Sequence, residues 1–210
     1  MIGLSVISLK GLKFYRNHLK PQRRELKILS QKDFKPMLWK NGAGHTTELI
    51  RLDHPTDPDM FSLRISIADV TTSGPFSVFK RIDRILFMLE GDGMVLEFED
   101  DTKIRLDRPF NPIYFPGEAE VHSKLIGGPN KDLNVMYDRT VGEAKVDFIL
   151  SKGIVEVGGM GQHFCFNWKN SLSVKEQVLP EQTLIVLDSG EKLQVKLPSD
   201  SILIVVTFTT

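Results

Sequence analysis

The sequence predicts an all-β chain folded as two barrel-like or sandwich halves. Three observations predict this: short runs with apolar residues at every second position, turn residues between those runs at short intervals, and little helical periodicity. In Phe61-Ser-Leu-Arg-Ile-Ser-Ile-Ala68, Phe61, Leu63, Ile65 and Ile67 share one face, and Ser62, Arg64, Ser66 and Ala68 share the other. Arg84 to Glu90 is a largely apolar run, Gly91-Asp92-Gly93 turns the chain, and Met94 to Phe98 follows as its hairpin partner. Further strands are expected at Thr46–Leu52, Lys103–Leu106, Pro112–Phe115, Asp132–Tyr137, Val146–Leu150, His163–Trp168, Thr183–Leu187, Leu193–Leu197 and Ile202–Phe208. Many short strands without intervening helices favour a sandwich or barrel over a parallel α/β sheet.

The organisation follows from where this pattern pauses. Residues 1–25 read as an N-terminal extension, 26–139 as an N-terminal half holding the candidate pocket, and 145–210 as a smaller C-terminal half. The polar stretch Arg139–Ala144 is the junction. The first 24 residues carry six basic side chains and no acid, which is read as a loose terminal segment rather than a nucleic-acid arm.

Bulk composition excludes several function classes. The chain has 210 residues, 41% hydrophobic and 26% charged, with a formal net charge of zero. A generic nucleic-acid binder shows a strong basic excess, so no nucleic-acid partner is expected. No apolar run approaches the roughly 20 residues that span a bilayer, and Ile2–Leu9 lacks the flanks of a signal peptide, so no membrane partner is expected and the cytoplasm is the default location. Cys165 is the single cysteine, so no intrachain disulfide can form. With Phe164, Phe166 and Trp168 around it, Cys165 reads as inert packing, and His163 on the same strand face reads as structural.

Recognisable catalytic motifs are missing. There is no nucleophile elbow and no phosphate-binding loop, and no two of the five histidines have H-x-H or H-x-x-x-H spacing. The acidic loop Asp53–Asp59 lacks the glycine and distal glutamate of a calcium loop. No metal and no cofactor are expected.

Two segments carry chemistry. Trp39-Lys-Asn-Gly-Ala-Gly-His-Thr-Thr-Glu48 puts an aromatic, a cation, an amide, hydroxyls and a carboxylate within ten residues. As a site, Trp39 forms a wall, Lys40 meets an anion, and Asn41 and Thr46 orient it; the alternative is a Gly-rich turn entering a strand. Arg64 and Ser66 share the polar face of an otherwise apolar strand. If that face lines a lumen, Arg64 is a buried cation that needs a carboxylate, and its planar fork suits bidentate capture; if not, it is solvated. Downstream, Ser73-Gly-Pro-Phe-Ser-Val-Phe79 turns the chain into Ile82-Asp-Arg84.

Taken in order, three blocks resemble the HutD/Ves family. They are Trp39 to Leu49; Arg64–Ala68 through Gly74–Phe79, Asp83-Arg84 and Leu89–Gly93; and Phe115-Pro-Gly-Glu118 with Asp132-Leu-Asn-Val-Met136. They cover roughly Leu26 to Arg139, and the chain departs from the family pattern at Ala43, Leu63, Lys80-Arg81 and Asp138. The resemblance implies a double cupin and a link to histidine catabolism, where sensing of an intermediate such as urocanate or formylglutamate is expected, or to stress response. On the cupin pattern, Val78, Lys80 and Arg84 stand where many cupins hold metal ligands, and none of these suits a metal; His122 is offset from the later histidine position.

The expected function is metal-independent binding of a small anionic metabolite by Trp39, Lys40, Asn41, Thr46, Arg64, Ser66 and Arg84. The alternative is a metal-free isomerase, epimerase or hydrolase drawing its acid and base from His122, Glu48 and Glu120. A third reading is an interaction protein without a pocket. In that third reading the second barrel mediates homodimerisation.

Overall fold

The computed structural model describes residues 26–39 and 44–210. The basic N-terminal segment therefore lies outside the described residues, as do Lys40 and Asn41 of the Gly-rich motif.

The described residues form strands joined by turns, with one 3-10 turn at Gln31–Asp33. In the first half these are β2 (Lys35–Leu38), β3 (Gly44–Asp53), β4 (Phe61–Val70), β5 (Gly74–Pro75), β6 (Ile82–Glu90), β7 (Met94–Phe98), β8 (Lys103–Leu106), β9 (Ile113–Pro116), β10 (Val121–Leu125) and β11 (Asn130–Asp138). The second half has β12 (Glu143–Ile149), β13 (Gly153–Gly158), β14 (Gln162–Lys169), β15 (Leu172–Val174), β16 (Gln177–Leu179), β17 (Thr183–Leu187), β18 (Lys192–Leu197) and β19 (Ile202–Thr209). Preceding them all, β1 (Lys27–Leu29) pairs antiparallel with β17, so the chain enters through the second half's sheet before starting the first.

Four sheets result, and they make a double cupin. The first barrel closes a six-stranded sheet, β2-β3-β4-β11-β6-β9, on a four-stranded one, β5-β10-β7-β8. The second closes a five-stranded sheet, β1-β17-β14-β19-β12, on another four-stranded one, β13-β18-β15-β16. The two large sheets pack against each other. The main core lies between them and joins Leu63, Ile65, Phe87 and Val135 of the first barrel to Phe164, Phe166, Ile204 and Val206 of the second.

This arrangement decides which way the alternating strands face. Both faces of each large sheet are buried, one between barrels and one in a lumen. On β4, Leu63, Ile65 and Ile67 enter the core between barrels, so Arg64, Ser66 and Ala68 face the first lumen. On β11, Leu133, Val135 and Tyr137 go to the core while Asp132, Asn134 and Met136 face the lumen. A bulge in β3 between Glu48 and Ile50 breaks the alternation, so Leu49 and Ile50 both reach the core while Glu48 stays opposite Ser66. Gly44 is required by close backbone packing: a Cβ there would lie 2.2 Å from the Asp69 carbonyl oxygen.

Candidate functional site

Hydrogen-bonded register sets the site's lumen wall. Arg64 on β4 stands opposite Met136 on β11, which stands opposite Arg84 on β6. Ser66 and Asn134 form the next pair up the sheet, and Ala68 and Asp132 the pair beyond. These rows open onto a cavity of about 570 Å³, closed on other sides by Trp39, Thr46 and the Pro75–Ser77 strap with Phe79.

Its two guanidinium groups differ in their protein partners. Arg64 Nε donates to Glu48 Oε2 at 2.9 Å, with both side chains largely buried. A carboxylate therefore already balances its charge, while Arg64 keeps a face on the cavity. Arg84 is 6% exposed and sits between the Phe76 and Phe115 rings, 4.8 and 5.0 Å from their centroids. Its Nη1 makes one long hydrogen bond of 3.4 Å to the Ser77 carbonyl, and its Nε is buried with no partner. Burial pushes the Arg84 guanidinium down to about 10, which leaves it charged at neutral pH.

Acceptors face these cations. Burial pushes the Asp132 carboxyl up to about 7, against the pull of Arg84 and with the help of the like charge on Asp69. Asn134 is buried with its Oδ1 unpartnered. Trp39 Nε1 donates to Thr46 Oγ1 at 2.8 Å, which fixes the indole as a wall and leaves the Thr46 O–H free to donate.

A HutD family model matches residues 31–205. The chain belongs to the HutD family. It is 42% identical over 113 residues to an uncharacterized 21.2 kDa protein in the hutC 3′ region of Pseudomonas putida, a match covering 54% of this chain and 58% of that protein. The chain thus spans less than two thirds of that curated relative's length. A conserved protein of unknown function from Pseudomonas aeruginosa PAO1 superposes with a TM-score of 0.77 at 29% identity, over 89% of this chain and 100% of the other. HutD from Pseudomonas fluorescens SBW25, in a structure described as a formate condition, gives 0.75 at 26% identity over 88% and 98%.

In this HutD-family chain, Trp39, Thr46, Arg64, Ser66 and Arg84 all line one cavity. The alternative acid–base set is dispersed. Glu48 is buried against Arg64, whereas Glu120 and His122 line a separate hollow with Glu97 and Glu99, divided from the cavity by Pro75 and Phe76. Of the positions aligned with cupin metal ligands, Val78 and Lys80 are exposed on the strap and Arg84 is buried. Among the described residues, no group of three His, Cys, Asp or Glu side chains is placed to hold a metal ion, and no helix is long and apolar enough to cross a membrane. Cys165 is fully buried in the second barrel, which pushes its thiol up to about 12. His163 is buried too, its Nδ1 3.1 Å from the Gly161 carbonyl.

Sequence reasoning passed over Asp132, Asn134 and Phe76 as site residues. Asp132 and Asn134 alternate with Leu133 and Val135 as Arg64 and Ser66 do with Ile65 and Ile67, so the same period-two signal marks them. Phe76 carried no such signal: its place depends on the strap, pinned by Phe76 N–H to the Val121 carbonyl at 2.8 Å and by Ser123 Oγ to the Gly74 carbonyl at 3.0 Å.

Proposed function

We propose that this HutD-family protein is a metal-independent cytoplasmic binder of a small carboxylate in histidine utilisation, with a regulatory or sensing role. Arg84 carries the reading. A buried guanidinium whose Nε has no partner, at the wall of a cavity, is an incomplete ion-binding site, and burial without a partner is costly. A planar carboxylate fits its fork. Phe76 and Phe115 hold the fork's plane, and Ser66 and Asn134 offer hydrogen bonds along the wall. Arg64 is a second contact, weakened because Glu48 already balances it. The histidine-utilisation setting is supported by family membership and by the P. putida relative in the hutC 3′ region. Urocanate and formylglutamate are the first ligands to try, with formate as a minimal carboxylate.

Isothermal titration calorimetry tests it. We expect saturable one-to-one binding of at least one of these carboxylates, weakened at least tenfold in Arg84→Gln. No heat with any of them, or equal affinity in Arg84→Gln, overturns the reading.

A further inference from the structure

We infer that the cavity takes up a proton with its anion, and that Asp132 is the group that receives it. This rests on the carboxylate-binding reading above and adds its regulation by pH.

The charge count in the lumen leads to it. Arg64 and Glu48 form a closed pair at 2.9 Å. Arg84 is drawn through space toward the charge of Asp132, which is 2% exposed on the central strand β11, between Ala68 of β4 and Met88 of β6. An ionised Asp132 and an incoming carboxylate compete for the same guanidinium. With Asp132 ionised, a bound monocarboxylate places three carboxylates against two guanidinium groups around one cavity. With Asp132 protonated the count is two against two, and the acid gains an O–H that can donate to the ligand. Adding the anion therefore drives a proton onto Asp132, and by reciprocity a proton on Asp132 tightens the anion.

Surrounding groups leave Asp132 as the site of uptake. From β6 the charge of Arg84 acts on it, while the Arg64–Glu48 pair stands farther along the sheet, in the Met136 and Ser66 rows. Asp69 adds like charge from the end of β4 but is itself held by His45 Nε2 and Lys131 Nζ, each at 3.0 Å. Across the lumen β10 and β7 present Val121, Ser123, Met94 and Leu96, while His122 and Lys124 are exposed on the other face of β10. Burial already holds the Asp132 carboxyl near neutrality, so a modest push from an anion is enough to protonate it.

Formate is the probe, because it brings a single carboxylate that does not titrate near neutrality. Calorimetry in buffers of different ionisation heat, from pH 5.5 to 8.5, counts protons. We expect close to one proton taken up per ligand at pH 8.5 and close to none at pH 5.5. Affinity should fall about tenfold per pH unit on the alkaline side. Asp132→Asn should bind at pH 8.5 as tightly as the unaltered chain does at pH 5.5, with no proton uptake, and His45→Gln should keep the uptake. Binding with no proton uptake and a flat pH profile overturns the coupling and leaves carboxylate binding standing. No binding of formate, urocanate or formylglutamate at any pH overturns both. Should Asp132→Asn fail to fold, the proton count on the unaltered chain still decides.

Discussion

The two barrels share an architecture and differ in what fills them. The second lumen is packed with Cys165, Ile185, Leu187, Val195, Leu203 and Val205. Part of the first lumen is packed in the same manner by Leu86, Met88, Met94 and Leu96, but the rest holds two arginines, two carboxylates and open space. In both barrels one face of the large sheet is apolar and serves the core between barrels. The difference lies on the lumen face, which in the first barrel carries Arg64 on β4, Arg84 on β6 and Asp132 on β11. The second barrel is a packed support; the first gives up part of its packing for a polar cavity.

Putting a charge where the second barrel is filled should have the largest effect. Ile185 is fully buried among apolar neighbours, with no partner for a carboxylate. Ile185→Asp should destabilise the chain by about 4 kcal/mol or more, enough to prevent folding. Urea denaturation or soluble yield reads this out. A well-folded variant would mean that the second lumen is not the packed support assigned here.

Removing a charge where the first barrel carries one should act on binding more than on folding. Arg84→Ala should weaken carboxylate binding by about 2–5 kcal/mol, and Arg64→Ala by less, because Glu48 already neutralises Arg64. Calorimetry on both variants checks the order. The reverse order would move the anion to Arg64.

Much of this was legible in the residues, and the reason is the period of two. Alternation located the strands Phe61–Val70, Ile82–Glu90 and Asn130–Asp138 to within a few residues of the expected spans. The family resemblance named a fold and family that the structure and the comparisons bear out. Alternation left open whether the Arg64 face meets water or a lumen, because that depends on a second sheet far along the chain. It also leaves unnamed the carboxylate that a buried Arg64 needs. The β3 bulge that keeps Glu48 opposite Ser66, and so supplies a partner, leaves no mark in a period-two pattern. Short strands such as Gly74–Pro75 and Leu172–Val174 are too brief for any period, and β1 joins β17 across more than 150 residues. Non-local pairing of that kind lies beyond local propensity.

Asp132 sharpens the contrast through pH. Its folded-state carboxyl is raised to about 7 from 3.8, so the folded chain holds the proton over a range where the unfolded chain has released it. The stability this group contributes is full below the lower value and is lost as pH rises to the upper one. Asp132→Asn removes that loss. The variant should match the unaltered chain near pH 4 and melt several degrees higher at pH 8. Thermal melts of the ligand-free protein across that range check the sign, and a variant destabilised at pH 8 would show that the Arg84–Asp132 attraction outweighs the cost of burial.

The smallest effect should come from the cavity's edge, where one neutral hydrogen bond orients a wall. Trp39 Nε1 donates to Thr46 Oγ1 at 2.8 Å, and both side chains are only partly buried. Thr46→Val keeps the shape and removes the acceptor. A net loss of about 1 kcal/mol in stability is expected, since water can reach the freed indole N–H. Affinity should fall by no more than the freedom regained by one indole, with no change in proton uptake, because the charged groups are untouched. A loss in binding as large as that of Arg84→Ala would place Thr46 or Trp39 in direct contact with the ligand and shift the centre of the site from the β6 wall to the β2–β3 hairpin.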